Sequence, residues 1–203
     1  MIRLRRLFAL TGVLLALGLQ GCSSTPDKPV PTALTEIKPE LQVERAWTQQ
    51  LGATDSFLTP WVQGQQVALA SSSGRVGLLD ASNGQWLWQL DLREALLAGV
   101  GGDGQRFAVM TRTNQLVVLE RGSVIWRQQM PAVSYTAPLV AGGRVFVMTA
   151  DRTIAAFDGV TGHKLWAQSR GNDPLVLRQP ALLMPMGDQL IAGASGRVLS
   201  LNP

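Results

Sequence analysis

Short apolar runs alternate with turn-forming residues from Ala137 to Trp166, and this stretch sets the pattern that the rest of the chain repeats. Ala137–Val140, Val145–Thr149, Ile154–Asp158 and His163–Ala167 read as four strands. Gly142-Gly143, Asp151-Arg152 and Gly159-Val160-Thr161-Gly162 separate them. These residues tolerate positive φ or cap their own backbone, so antiparallel hairpins are expected.

The pattern recurs over about 57–91, 96–130 and 135–169, and three strands of a further copy occupy about 178–202. The first copy runs through Leu58–Pro60, Val67–Ala70, Val76–Asp80 and Trp86–Trp88. A weaker one uses Phe107–Thr111, Leu116–Glu120 and Val124–Trp126, and the last uses Gln179–Leu182, Gln189–Ala192 and Val198–Asn202. Trp47, Trp88, Trp126 and Trp166 each punctuate a fourth strand, 41, 38 and 40 residues apart. A period near forty with four strands per repeat predicts an all-β fold, a β-propeller of four-stranded antiparallel blades forming a partial ring. Val43–Gln49 reads as a fourth strand with no first three before it, the element that locks the last blade to the first in many propellers. With it the count is sixteen strands, arithmetically four blades.

Recurrence once per repeat assigns these tryptophans to packing between blades rather than to a stacking platform for a sugar or quinone. Asp80 and Asp158 precede glycine-containing turns and are expected to accept backbone N–H bonds there, as turn staples rather than general acids. In the weak copy Glu120 takes that place, before a turn shortened to Arg121-Gly122.

Composition fits a folded domain: 203 residues, 46% hydrophobic and 16% charged. The formal charge of +4 is misleading, because Arg3, Arg5 and Arg6 lie in a leader. Without residues 1–21, 15 of the 18 basic side chains face 14 acidic ones, and no basic stripe argues for nucleic acid. After those arginines, Leu7–Leu19 is an apolar run too short to span a bilayer comfortably, and it ends in Leu19-Gln20-Gly21-Cys22. That ending resembles a bacterial lipobox, which implies cleavage before Cys22 and acyl chains on it. Cys22 is the sole cysteine, so no disulfide forms within the chain. Ser23 beside it resembles lipoproteins sorted to the outer membrane. The expected organisation is a signal peptide over 1–21, the lipidated cysteine and a proline-rich tether over 22–40, and propeller blades over 41–203.

Catalytic parts are not apparent. The single histidine, His163, has no cysteine to join in a metal cluster, and no serine lies in Gly-x-Ser-x-Gly. Gly99-Val100-Gly101-Gly102-Asp103-Gly104 precedes a strand rather than a helix, so a loop is expected there and not a phosphate cradle. No catalytic residue, metal site or cofactor is assigned.

Lipobox, proline tether, lone Trp strand and repeats ending Asp-x-x-x-Gly-x-x-x-Trp, as in Asp80–Trp88 and Asp158–Trp166, together resemble the BamB family. These are lipoproteins of the outer-membrane β-barrel assembly machine, and the repeat alone is shared with all propellers of the pyrroloquinoline-quinone type. The resemblance implies a non-catalytic scaffold, lipid-anchored on the periplasmic face of the outer membrane, that binds BamA and assists the insertion of unfolded outer-membrane proteins. It also implies that Asp173-Pro174-Leu175-Val176-Leu177-Arg178 matches the family's Leu-x-Leu-Arg loop, with Leu175, Leu177 and Arg178 contacting BamA. From the residues alone two readings stand. If the segment is extended, both leucines point one way beside an arginine, as an interface anchor would; equally, they could start a strand and fill core. A second function class is a fragment of a periplasmic quinone-dependent dehydrogenase. Those enzymes need a calcium site and commonly a vicinal cysteine pair, and one cysteine cannot supply the pair. Members of the BamB family are about twice as long and form eight-bladed rings. The expectation is therefore a piece of a longer chain, with closure as four blades or pairing of two copies as the alternatives.

Overall fold

A computed structural model describes residues 31–33, 41, 43–169, 181–194 and 196–203. The chain divides into two compact units, Met1–Val43 and Glu44–Pro203, and every strand belongs to the second. Among the described residues there is no helix long and apolar enough to cross a membrane.

Fifteen strands are described, and all follow a simple meander. The first sheet contains β1 (Trp61–Gln63), β2 (Gln66–Ala70), β3 (Arg75–Asp80) and β4 (Trp86–Asp91). The second contains β5 (Leu96–Gly102), β6 (Arg106–Thr111), β7 (Gln115–Glu120) and β8 (Ser123–Gln129). The third contains β9 (Leu139–Ala141), β10 (Arg144–Met148), β11 (Ile154–Asp158) and β12 (Lys164–Gln168). The fourth has three strands, β13 (Leu182–Met186), β14 (Gln189–Ala194) and β15 (Arg197–Leu201). All pairings are antiparallel, and each sheet is a chain of hairpins, as the turn chemistry requires.

The core is divided between the sheets. Side chains alternate across a strand, so neighbouring residues of β7 belong to different clusters. Val117 and Leu119, with Phe107 of β6, pack toward Val76 and Leu78 of the first sheet, whereas Leu116 and Val118 pack toward the third with Val145, Val147 and Phe157. A third cluster joins Phe146, Ile154 and Ala156 to Leu190 and Ala192 of the fourth sheet. Strands covered on both faces lose the apolar/polar alternation of a one-sided sheet, which is why Leu116-Val117-Val118-Leu119 is a continuous apolar run. Aromatic edges tighten these seams: Phe107 meets Trp61 at 5.2 Å and Trp88 at 5.5 Å, both edge-on.

Three expectations are corrected. Residues 43–49 do not form a strand, because this segment has no ladder partner in the described chain. The first strand of the first sheet starts at Trp61 rather than at Leu58, whose only ladder contact is an isolated parallel bridge to Gly99. The glycine-rich segment is not wholly a loop, since Gly99–Gly102 lie within β5, the strand opening the second sheet. Glycine is needed there for close approach. A Cβ on Gly101 would stand 1.7 Å from the Pro138 carbonyl oxygen, and one on Gly102 would stand 2.7 Å from the Phe107 ring.

Candidate interaction surface

Every connection between a third and a fourth strand leaves the same end of its sheet, and two of these turns share one construction. In the first, Gly84 donates its amide to the Asp80 carbonyl at 2.7 Å, and Asp80 donates its own to Gln85 at 2.9 Å. In the third sheet Gly162 and Asp158 repeat this, at 2.9 Å and, from Asp158 to the His163 carbonyl, at 2.8 Å. The carboxylates close the turns from within. Asp80 Oδ1 accepts the Ser82 hydroxyl at 2.6 Å and the Ser82 amide at 2.8 Å. Asp158 Oδ1 accepts the Thr161 amide and hydroxyl, both at 2.8 Å, and the Val160 amide at 3.0 Å. Donors aimed at the charged form hold both carboxyls below their ordinary range, through the Ser82 hydroxyl for Asp80 and the Thr161 amide for Asp158. These groups are committed to turn structure, which leaves them unsuited to moving a proton near neutrality.

Each such turn receives an indole from the preceding stretch of chain. Trp126 of β8 donates its Nε1–H to the Gly159 carbonyl at 3.0 Å, and its ring lies where a Cβ on Gly162 would come within 2.7 Å. Trp47 does the same on the first sheet, with Nε1 2.8 Å from the Ala81 carbonyl and its ring 2.6 Å from a Cβ built on Gly84. Gly84 and Gly162 have φ of 72° and 71°, so the left-handed turn and the ring contact both demand glycine. Trp88 meets the shortened turn at Gly122, 3.1 Å from a built Cβ, and packs edge-on against Phe107. Trp166 packs against Phe146, with ring centroids 6.1 Å apart.

The opposite ends of the sheets carry hydroxyls. Ser71 and Thr111, both buried, each bond a hydroxyl two residues on, Ser73 at 3.0 Å and Thr113 at 2.9 Å. They also accept the Arg75 and Gln115 amides, at 3.1 and 3.0 Å. Glu94 accepts the Thr113 hydroxyl and an Arg127 N–H at 2.9 Å, and its carboxyl is held low first by the Thr113 bond. Asp55 pairs with Arg112 at 3.4 Å. Among the described residues no group of three or more His, Cys, Asp or Glu side chains could hold a metal ion. His163 is an exposed turn residue whose backbone serves the Asp158 turn.

The side chains of the outer rims were not singled out from sequence. Among the described residues β4, β8 and β12 each pair on one side only, leaving three backbone edges open. Each edge presents an apolar side chain immediately before its tryptophan: Leu87 is 53% exposed, Ile125 38% and Leu165 46%. The signal was present in the repeat Leu-Trp, Ile-Trp, Leu-Trp, but exposure depends on which strand lies outermost, and periodicity does not fix that. An open strand edge flanked by an apolar residue is equipped to accept an extended segment by backbone hydrogen bonding.

Cys22, Leu175, Leu177 and Arg178 lie outside the described residues. The flanking strand ends, Gln168 and Leu182, are at the sheet end that carries Glu94 and the Ser71 and Thr111 hydroxyls.

Residues 72–203 match the family model described as outer membrane protein assembly factor BamB. The chain is 35% identical to the protein of that description from Burkholderia pseudomallei, over 89% of this chain and 49% of the relative. It is 31% identical to the one from Bordetella pertussis, over 95% of this chain and 51% of the relative. It thus spans about half the length of these curated relatives. Among solved structures, BamB from Moraxella catarrhalis superposes with a TM-score of 0.55 at 21% identity, over 69% of this chain and 47% of that one. The computationally designed Ika4 protein gives a TM-score of 0.56 at 16% identity, over 77% of this chain and 99% of that one. At these identities the two superpositions speak for the propeller fold alone.

Proposed function

The chain belongs to the BamB family of outer-membrane protein assembly factors, and on that footing we propose that it is a non-catalytic scaffold of the outer-membrane barrel assembly complex. Cys22 carries the lipid that holds it to the periplasmic face of the outer membrane, after removal of residues 1–21, and 22–40 is the tether. Leu175, Leu177 and Arg178 bind BamA, the two leucines as apolar anchors and the arginine as a charged clamp. The rims of β4, β8 and β12 take strands of unfolded outer-membrane proteins by edge pairing before insertion.

The observation that carries this reading is the repetition of an open outer edge with an exposed apolar residue, three times over, on sheets whose Asp80 and Asp158 carboxylates are consumed in turns. Such a surface works by contact. Capture of the BamA periplasmic domains by the chain, with and without Leu175→Ala, Leu177→Ala and Arg178→Ala together, tests the partner assignment. Capture is expected to be lost in the triple variant while its circular dichroism is unchanged; undiminished capture would remove the site. Dye reduction on adding pyrroloquinoline quinone and calcium would overturn the scaffold reading.

A further inference from the structure

The three outer strands share an irregularity that decides how much of each edge can be used. The register between third and fourth strands slips once in each four-stranded sheet, between Leu78 and Leu79, Val118 and Leu119, and Ala156 and Phe157. Leu78 is opposite Trp88 and Leu79 opposite Trp86, so Leu87 is an extra residue in the ladder. Ile125 and Leu165 hold the same place before Trp126 and Trp166. These are β-bulges, and the bulged side chains are the apolar ones that the rims expose.

Past the bulge the ladder is regular, and its parity can be read. The Leu92 amide bonds the Gly74 carbonyl and the Met130 amide the Asn114 carbonyl, both at 2.9 Å, one residue beyond Asp91 and Gln129. Bonded and non-bonded pairs alternate along an antiparallel ladder. Gln89 and Asp91 of β4, and Arg127 and Gln129 of β8, therefore turn their backbone N–H and C=O away from their own sheets. Ala167 does the same on β12, because Trp166 is opposite Ala156 as Trp88 is opposite Leu78.

On the reading that the rims take client strands, we propose that each rim pairs with only a short extended segment, along Trp88–Asp91, Trp126–Gln129 or Trp166–Gln168, and that the bulge stops the pairing from running further. The occupant is a stretch of an unfolded outer-membrane strand that carries no charge at the contact. The two charged residues within those spans are already engaged: the Asp91 carboxylate accepts the Arg93 amide at 2.8 Å, and Arg127 pairs with Glu94 at 2.9 Å. Glutamine, alanine and the bulged leucine or isoleucine remain for an added strand to meet. That lining suits alternating apolar and neutral polar side chains rather than a charged peptide. A transmembrane strand runs to about 9–11 residues, so one rim covers less than half of it. The same interruption keeps three open edges from templating continuous sheets between copies. Capture at several rims adds up through effective concentration, while release from any one stays easy.

Peptide length and amide exchange test this on the full chain, with ten- and five-residue peptides of alternating valine and threonine as probes, read by fluorescence anisotropy. Shortening the peptide from ten residues to five is expected to change its dissociation constant by less than about twofold. Bound peptide is expected to slow hydrogen exchange at the Gln89, Asp91, Arg127, Gln129 and Ala167 amides, and not at Trp86, Val124 and Lys164 before the bulge. Gln89→Pro, Gln129→Pro and Ala167→Pro together remove one outward N–H per rim and no ladder bond, and are expected to weaken binding about tenfold at unchanged circular dichroism. Affinity that keeps rising to ten residues, with Trp86, Val124 and Lys164 protected as well, would overturn the bulge as a stop while leaving client pairing in place. Absence of binding by either peptide would overturn the client reading and the proposal with it. Protection of the same amides in concentrated protein without peptide would make a second copy of this chain the occupant, and would overturn the assignment to a client.

Discussion

Trp126 reaches across the boundary between the second and third sheets to donate its indole N–H to the Gly159 carbonyl at 3.0 Å. One side chain thereby ties an outer strand to its neighbour's turn by both a directional bond and an apolar face. Trp126→Phe keeps the ring and removes the bond, and is expected to cost about 1 kcal/mol. Trp126→Ala also opens a void beside Phe157 and is expected to cost about 3 kcal/mol. Urea midpoints at constant slope measure both; equal losses would mean that the bond, and not the ring, carries the contact.

The Asp158 turn makes acid sensitivity assignable. Its carboxyl is held below the usual range by the Thr161 amide and hydroxyl and the Val160 amide, so the folded state keeps the charged form longer than the unfolded chain does. A lowered folded value gives stability that is complete above the unfolded pKa of about 4 and is lost as pH falls from there through the folded value. Asp158→Asn is therefore expected to flatten the denaturation midpoint between neutrality and acid relative to the parent. An unchanged slope would show that other carboxyls set it.

Gly101→Ala is expected to be among the most damaging single-atom changes available, because its Cβ would lie 1.7 Å from the Pro138 carbonyl. Backbone must move on two sheets to admit it, for a loss above about 3 kcal/mol. Gly142→Ala is the contrast. Nothing lies within 4 Å of its Cβ, and only a left-handed φ of 57° opposes it, at about 1 kcal/mol. Thermal unfolding of the two variants checks the ordering.

Charge placed on the rim separates binding from folding. Leu87→Lys, Ile125→Lys and Leu165→Lys alter side chains that are already 38% or more exposed, so each is expected to shift stability by less than about 0.5 kcal/mol. Edge lysines oppose strand addition, and the triple variant is expected to lose association with an unfolded barrel-protein peptide, read by fluorescence anisotropy. Full association at unchanged stability would take the rims out of client binding.

Much of this was legible in the chain because each repeat is a local object. The turn Asp158–Gly162 can be written from five consecutive residues, and the indole spacing sets the period of the sheets. What escaped depends on neighbours far along the chain. Residues 43–49 have strand-like character, but a strand needs a partner edge, and this segment has none among the described residues. Gly99–Gly102 look like a loop until the Pro138 carbonyl is placed beside Gly101. Leu87, Ile125 and Leu165 look like core until β4, β8 and β12 are known to lie outermost. For the Leu175–Arg178 segment the sequence allowed anchor or core, and it lies outside the described residues.

Because consecutive residues of a strand such as β7 serve different clusters, no single cluster among the described residues joins all four sheets. Cohesion is a relay between adjoining layers, and loosening should spread inward from whichever layer has the least cover. β6 and β7 lie between two of the apolar clusters, so their amide hydrogens should trade with solvent well after those of β4, which is exposed along its length at alternate residues.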